Sequence, residues 1–308
     1  MNFVSYIVIR YDQLLVPLSL GESDEGTIRW AGKIARLAGS SAVHFFHSKE
    51  MPEIPETVMK KYPWLMEPLD GMLEKRMREV VEANWKGPAE TDVDYAIKDD
   101  KGEIFGILGT IIDLDIDLVI TGRKEMERDL PVQLARKSTC SVMSVPKGEG
   151  TSITKIIVPT DFSEYSKEAL DVAIAFAVAE GIKEIESLHI SGAKGITSRT
   201  ELAKESGTKM LELATQEAHE EYLSGIDDRG IKLIAKNINS KLISGTVFKR
   251  VNDTHADLIV TGCRGRDTVT SFLLGSNAEM MLKYATIPVI AAKKKGTGQK
   301  LLQALLDS

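Results

Sequence analysis

Short apolar runs alternate with stretches of helical periodicity through the second half of the chain. Helices are predicted where apolar residues recur every three or four positions, as at Leu170, Ile174 and Ala177. The predicted strands cover residues 155–160, 184–190, 231–237, 258–260 and 288–292. The predicted helices run from a Ser163 cap to about 180, then over 209–227, 245–254 and 276–284, with a loop at 191–208. The order βαβαβαβαβ predicts an open, mainly parallel, doubly wound sheet.

The first half of the chain repeats this plan. The segment QLLVPLSLGESDEGTIRW aligns with KIIVPTDFSEYSKEALDV, and Pro17 precedes Pro159 by 142 positions. Near the end of each copy, Gly122 precedes Gly262 by 140 positions. A repeat of this length indicates a duplicated domain rather than a solenoid. We therefore predict an α/β protein of two tandem doubly wound domains, each an open five-stranded sheet flanked by helices in the flavodoxin- or Rossmann-like order 3-2-1-4-5.

The segment KGEGT at 147–151 separates the two predicted domains, which cover residues 1–147 and 152–294. The first domain carries a proline-rich insert at 51–70, which we expect to form an irregular apolar flap. Residues 295–308 form a basic link and a short amphipathic helix. This tail is predicted either to dock on the protein as a frayed terminus or to serve as an interaction handle.

Composition narrows the choice of partners. The 308 residues carry a formal net charge of −6 and a sequence pI near 5.6, which argues against nucleic acid or an anionic membrane as the main partner. No apolar run approaches the length of a membrane span. The N-terminal segment MNFVSYIVIRYDQ has the character of a strand rather than a signal peptide. With only two cysteines in the chain, we expect a cytoplasmic protein without disulfides.

A glycine pattern near the end of the second domain predicts an anion site. Gly262 ends a predicted strand, Gly265 follows after two residues, and Gly275 follows after nine more, directly before Ser276 and a predicted helix. Glycine lets backbone N–H groups approach phosphate oxygens, and the start of a helix supplies orphan donors and partial positive charge. The spacing alone is weak, and a tight strand–helix connection without a ligand is the structural alternative.

A second polar loop, Thr160-Asp161, follows the first strand of this domain. Ligands of doubly wound sheets bind outside the carboxyl ends of the strands where the strand order reverses. If the first and fourth strands are neighbours, Asp161 can accept a hydrogen bond from a ribose hydroxyl or base amino group, or can simply cap the next helix. The Ile190 backbone can pair with a base edge. The candidate nucleotide-binding residues are Pro159, Thr160, Asp161, Ile190, Gly262, Cys263, Arg264, Gly265, Arg266, Gly275, Ser276 and Asn277.

The first copy lacks several of these features. Ser19 stands at the position of Asp161, and the loop after Gly122 is seven residues shorter and contains no further glycine. A short, charged loop without glycine cannot wrap a phosphate tail in the same way. We therefore predict that only the second domain binds nucleotide. His47 and His189, at matching strand ends, are interpreted as packed, hydrogen-bonded residues, and Cys263 as a residue of an exposed loop.

The motifs PTDFSEYS, LHI and DLIVTG-x2-G-x9-GS resemble the universal stress protein family, strongly in the second copy and more weakly in the first. The resemblance implies a five-stranded parallel α/β domain that binds ATP or AMP, with Mg²⁺ possible beside ATP. It implies adenine and ribose contacts at Asp161 and the Ile190 backbone, and ribose and phosphate contacts at Gly262, Gly265 and 275–277. It also implies pairing through the last strand, either within the chain or in a homodimer, and it does not imply hydrolysis.

Three functions follow, and we rank them. The leading hypothesis is a nucleotide-binding, stress-linked regulatory module. A slow ATPase or a phosphoryl or nucleotidyl transferase is the runner-up, because the sequence offers no evident general base or metal cluster. A protein-interaction scaffold with a decayed site is third. No GxxxxGK[ST] loop, HExxH motif or nucleophile elbow occurs, and the loop after the first strand lacks the Rossmann glycine pattern.

Overall fold

The computed structural model describes residues 10–21, 24–49, 56–62, 70–98, 102–123, 129–148, 150–192, 201–264, 274–294 and 296. The predicted N-terminal strand therefore lies outside the described residues up to position 9, as do most of the 51–70 insert and nearly all of the tail. In the described part of the insert, the prediction of an irregular segment is wrong, since residues 56–61 form a helix. The first half contains β1 Gln13–Pro17, α1 Asp24–Ala38, β2 Ala42–Ser48, α2 Glu56–Lys61, α3 Asp70–Asn84, β3 Asp92–Lys98, α4 Glu103–Asp113, β4 Leu118–Gly122, α5 Leu130–Lys137 and β5 Ser141–Val145.

The second half follows the alternation that its sequence predicts. Its elements are β6 Ile156–Thr160, α6 Glu164–Glu180, β7 Glu184–Ser191, α7 Glu201–Ser224, β8 Lys232–Asn239, α8 Ile243–Thr254, β9 Leu258–Gly262, α9 Ser276–Tyr284 and β10 Val289–Ala292. Ser163 is the N-cap of α6, because its side chain accepts a hydrogen bond from the Ser166 N–H, as predicted. The loop predicted at 191–208 is wrong in its second part, since α7 already begins at Glu201.

The ten strands form one sheet in the order β3-β2-β1-β4-β5-β10-β9-β6-β7-β8. Within each half the strands are parallel and follow the predicted order 3-2-1-4-5, so this part of the fold prediction is confirmed. The halves meet where β5 and β10 pair antiparallel, with Met143 opposite Ile290. Two five-stranded units are thus joined edge to edge into one continuous sheet.

Helices cover both faces of the sheet, which is why its central strands are apolar along their whole length. Alternate residues of β1 point to opposite sides: Leu14 and Val16 pack in one core, while Leu15 packs in the other. Helices α1, α3 and α6 lie over the first core, and α4, α5, α8 and α9 lie over the second. The result is a three-layer α/β/α arrangement that leaves the strand ends open at the rim.

Two basic side chains reach across the junction between the halves and donate hydrogen bonds to carbonyls at the carboxyl ends of helices. The Arg123 guanidinium, after β4, donates to the carbonyls of Leu282 and Ala285 at the end of α9. Lys293, after β10, donates through Nζ to the carbonyl oxygens of Ala135 at 2.9 Å and Ser138 at 2.7 Å, at the end of α5. Each half therefore supplies donors to the unpaired carbonyls of the other half's last helix.

Candidate functional site

A cavity of about 500 Å³ opens at the carboxyl ends of β6, β7 and β9. β6 pairs with β9 on one side and with β7 on the other, so the strand order reverses between β6 and β9. The prediction that the first and fourth strands of this half are neighbours is therefore confirmed. The cavity is lined by Pro159, Thr160, Asp161, Ser166, Leu188, Ile190, Ile243, Thr261, Gly262, Arg264, Leu274, Gly275, Ser276, Asn277, Ala278 and Met281.

The structure brings together nine of the twelve candidate residues on this cavity wall. Gly265 and Arg266 lie outside the described residues. Cys263 is placed differently from expectation: it is 3% exposed and packs in the core, and its N–H donates to the Ala292 carbonyl at 3.3 Å. The expectation of an exposed loop cysteine is wrong, because β9 and its pairing with β10 extend to Gly262.

The loop after β6 forms a tight turn around the Asp161 carboxylate. Asp161 Oδ1 accepts hydrogen bonds from the Ser163 N–H at 3.1 Å and from Ser166 Oγ at 2.7 Å. Phe162 adopts a left-handed backbone with φ of 64°, which is uncommon for a residue with a side chain. Asp161 thus helps to begin α6 and also lines the cavity, so the capping and ligand interpretations of this residue are compatible.

Histidine and phenylalanine support this turn from beneath. His189 Nδ1 lies 2.9 Å from the Thr160 carbonyl oxygen, and the Phe162 ring stacks on His189 with centroids 4.3 Å apart. In the first half, His47 Nδ1 lies 2.9 Å from the carbonyl oxygen of Leu18. The interpretation of both histidines as packed, hydrogen-bonded residues is confirmed. Their role is to hold the backbone at the strand end.

The start of α9 presents donors to the cavity. The first hydrogen bond of this helix runs from the Glu279 N–H to the Gly275 carbonyl, so the N–H groups of 276–278 precede the intrahelical ladder. The Gly275 N–H is bonded to the Cys263 carbonyl at 2.9 Å and fixes the loop end against β9. The exposed Ser276 and half-buried Asn277 add polar side chains at the same place. Such a helix start favours an anion.

Gly262 and Gly275, the two glycines of the pattern that the structure describes, differ in how much room they leave for a side chain. A Cβ at Gly262 would lie 2.7 Å from the Tyr165 carbonyl oxygen, so packing of α6 against β9 alone requires glycine there. Among the residues that the structure describes, a Cβ at Gly275 would meet nothing closer than 3.8 Å, and the φ of −62° is open to residues with side chains. Packing against the described residues therefore does not require glycine at position 275.

Arg264 supplies positive charge on the cavity wall. Its guanidinium lies over the Tyr165 ring, 5.5 Å from the centroid, and Nη1 donates to the tyrosine hydroxyl at 3.3 Å. Both contacts are made to a neutral residue and hold the planar group at the cavity wall. Burial raises the pKa of the neighbouring Cys263 thiol, and this outweighs the lowering by Lys293 and Arg264.

Apolar residues on the wall were missed by sequence reasoning. Leu188 from β7, Ile243 from α8, and Leu274 and Met281 around α9 give the cavity a face suited to a flat, apolar group. Ile190 lies one residue beyond the His189–Thr160 pair that ends the β6–β7 ladder, so it borders the cavity. No sequence pattern marks Ile243 as a cavity residue, since it reaches the cavity only through the way α8 packs on the sheet. Ser166 is marked by such a pattern, at the third position after the Ser163 cap.

The matching place in the first half is built differently. Its last helix, α5, begins after Asp129 with Leu130 and Pro131, and the proline has no N–H to donate. The Asp129 carboxylate lies 2.7 Å from Lys283 Nζ in α9. At this helix start a carboxylate already lies at the place that favours an anion.

Two further classes of site are not seen in the part of the chain that the structure describes. No group of three or more His, Cys, Asp or Glu side chains there could hold a metal ion. None of the helices formed by these residues has the length and apolar character needed to cross a bilayer.

The fold and the cavity define an open, doubly wound α/β protein with a crevice of mixed polar and apolar lining at its strand-order switch point. A profile of the universal stress protein family matches residues 152–293. Universal stress protein MJ0531 of Methanocaldococcus jannaschii is 31% identical over 153 residues, covering 46% of this chain and 82% of that protein. Universal stress protein MJ0577 of the same organism is 26% identical over 157 residues, covering 46% and 96%. The chain belongs to the universal stress protein family.

A solved structure extends the likeness in fold to both halves. The universal stress protein from Archaeoglobus fulgidus DSM 4304 superposes with a TM-score of 0.61, at 14% identity, over 92% of this chain and 99% of that chain. At this identity the comparison concerns the fold alone. It shows that the joined α/β arrangement recurs in another protein.

Proposed function

We propose that residues 152–294 bind an adenine nucleotide, ATP or AMP, and that the protein acts as a nucleotide-responsive regulator in a stress response rather than as an enzyme. One observation carries this proposal: a single cavity at the switch point gathers the loop after β6, the end of β9 and the start of α9. The family membership of this half and its glycine pattern agree with it.

The cavity has the size and chemistry for such a ligand. Its volume of about 500 Å³ falls within the range of small-molecule sites. The base would lie against the apolar side chains from β7 and α8, with Asp161 accepting a hydrogen bond from the ribose or the base. Arg264 and the N–H groups at the start of α9 would hold the phosphates. Magnesium would enter with a triphosphate, through its phosphate oxygens.

The first half, residues 1–147, takes a structural rather than a nucleotide-binding role in this proposal. Its helix start carries Asp129, and Ser19 replaces the cavity aspartate. The antiparallel β5–β10 pair then makes the chain a pseudo-dimer of two family-type domains, with the first supporting the second. A homodimer of chains would have to use another surface, because these two edges already pair with each other.

Calorimetric titration of the full-length protein with ATP and with AMP tests the proposal. We expect saturable binding of one nucleotide per chain. Mass spectrometry of the denatured protein, purified from its host, should release an adenine nucleotide. No binding heat and no carried nucleotide would overturn the assignment. Hydrolysis of labelled ATP far above the uncatalysed rate would instead promote the enzyme alternative.

Gly275 gives a sharper test of where the phosphates lie. Gly275→Val places a branched side chain where we propose that the phosphates lie, so we expect affinity for ATP to fall by about ten-fold or more, equivalent to roughly 1.4 kcal/mol. The fold should persist, because the backbone of Gly275 has a negative φ of −62° and a Cβ there would meet no described atom closer than 3.8 Å. Gly71→Val in α3, where a Cβ also has open space, is the matched control and should leave binding unchanged. Equal affinities for the two variants would contradict the phosphate placement.

A further inference from the structure

Ser166 holds the cavity aspartate at two points. Its hydroxyl donates to Asp161 Oδ1 at 2.7 Å and accepts from the Asp161 N–H at 3.2 Å. One hydroxyl can do both, since it carries one donor and two acceptor positions. Ser166 is only 4% exposed, in the first turn of α6. The carboxylate orientation at the cavity wall therefore depends on a side chain behind it.

The first half contains the same pair with its members exchanged. The repeat aligns Ser19 with Asp161 and Asp24 with Ser166, since both pairs differ by 142 positions. Here Ser19 Oγ donates to Asp24 Oδ1 at 3.1 Å, and the Ser19 N–H donates to the same oxygen at 3.2 Å. The serine–aspartate hydrogen bond is kept, but the carboxylate has moved from the loop to the helix.

This exchange decides whether the loop after the first strand of each half presents a carboxylate to a ligand. Asp24 is 3% exposed and accepts a further hydrogen bond from the Gly21 N–H at 3.1 Å, so its carboxylate serves the turn. The pKa of the Asp24 carboxyl is raised above its ordinary value, because burial outweighs the hydrogen bonds from residues 19–21 that lower it. The same turn is thus built with either arrangement, as the left-handed φ of 60° at Leu20 and 64° at Phe162 shows. The fold does not require the carboxylate on the loop.

We propose that Ser166 is a positioning residue that aims the Asp161 carboxylate at a hydrogen-bond donor on the nucleoside part of the ligand. Because the turn forms equally well with the pair reversed, the second-half arrangement is explained by what it presents to the cavity. The donor is a ribose hydroxyl or an exocyclic amine of the base. This inference rests on the proposed nucleotide function and adds the origin of its selectivity to it.

The test compares ATP with analogues that each lack one donor: 2′-deoxyATP, 3′-deoxyATP and ITP. In the wild-type protein, we expect about ten-fold or greater loss of affinity for the analogue without the recognised donor, as for a hydrogen bond to a charged group. In Ser166→Ala this discrimination should shrink to within about three-fold. Affinity for inorganic tripolyphosphate, which has no nucleoside, should stay unchanged.

Ser163→Ala is the matched control. It removes the α6 cap, since Ser163 Oγ accepts from the Ser166 N–H at 3.3 Å, but the Asp161 bond from the Ser163 N–H is a backbone bond and survives. This variant should lose stability yet keep the discrimination. Should Ser166→Ala fail to fold, Ser166→Cys, of similar size and a weak donor, carries the same comparison.

The outcomes separate this inference from the proposed function. Wild-type binding of ATP with undiminished discrimination in Ser166→Ala would overturn the positioning role alone. An equal loss of affinity for tripolyphosphate and ATP in Ser166→Ala would also overturn it, by showing a general structural effect. Absence of any ATP or tripolyphosphate binding by the wild-type protein would remove the nucleotide site and this inference together.

Discussion

At the scale of single residues, the strand ends decide which side chains face the cavity and which face the core. Cys263 lies between Gly262 and Arg264, which both line the cavity, yet its own side chain is buried. The sequence shows a cysteine beside an arginine, a context that lowers a thiol pKa when the site is exposed. Burial reverses this, because desolvation disfavours the thiolate.

Cysteine reactivity tests this placement directly. Burial raises the pKa of the Cys140 thiol to about 12 and also raises that of Cys263. We therefore expect neither thiol to react with a water-soluble disulfide reagent at pH 8.5 in the native protein. At that pH about half of an ordinary exposed cysteine is thiolate. Both thiols should react in denaturant, which serves as the control. Rapid native labelling of Cys263 would contradict the burial described above.

Polar residues with a local hydrogen-bonding signal were predictable, whereas apolar cavity residues were not. Ser163 was found as a cap because a serine before a helical pattern satisfies the first N–H groups. Asp161 was found because it follows an apolar strand. Ile243 and Met281 join the wall only through the packing of α8 and α9, and their apolar character is equally typical of core residues.

At the scale of helices and strands, hydrophobic periodicity predicted the bounds of an element well where a glycine or capping residue marked its end. The predicted helix at 276–284 matches α9, which begins directly after Gly275. For α7, the prediction began eight residues too late, because Gly207 and Thr208 resemble loop residues. A long helix tolerates such residues when neighbouring turns pack on a sheet, as α7 does on β8.

The junction between the halves depends on helix ends that no local pattern predicts. The carbonyls at the end of α9 receive donors from Arg123, which is 159 residues from Leu282. Unpaired carbonyls at a helix end cost free energy when they are buried. Arg123 follows the fourth strand of the first half, and Lys293 follows the fifth strand of the second half. The helix ends that they contact become evident only once β5 and β10 pair.

Arg123→Met should reveal this contribution. The variant keeps a long side chain but removes the donors to Leu282 and Ala285. We expect a loss of about 1–3 kcal/mol in the free energy of unfolding, measured by urea titration. Arg78→Met is the control, because the exposed Arg78 pairs with Glu74 on the same helix and lies over the Tyr95 ring, and it should change stability by less than about 1 kcal/mol. Equal effects of the two variants would mean that the helix-end bonds add nothing.

At the scale of the whole molecule, one continuous sheet joins two halves that carry different side chains at the carboxyl ends of their strands. The order of strands is the same in both halves, so the difference lies in loops and helix starts. Duplication and strand order were predictable from the repeat. The edge-to-edge joining through β5 and β10 follows only from the resemblance to a family whose domains pair in this way, because both strands read equally well as buried or edge strands.

Nucleotide binding should therefore protect one half only, and hydrogen exchange on the full chain can measure it. In saturating ATP, we expect slower exchange in the peptides that contain the α6 start and the first turn of α9. The first turn of α5 should be unchanged, because Asp129 lies at that helix start and Pro131 has no N–H to donate. Gly275→Val is the control, at an ATP concentration just sufficient to saturate the wild-type protein, and should show much less slowing at the α6 start and in the first turn of α9. Equal protection of α5 and α9 would mean that both rims bind, and that neither the helix-start carboxylate nor the exchanged aspartate disables the first half.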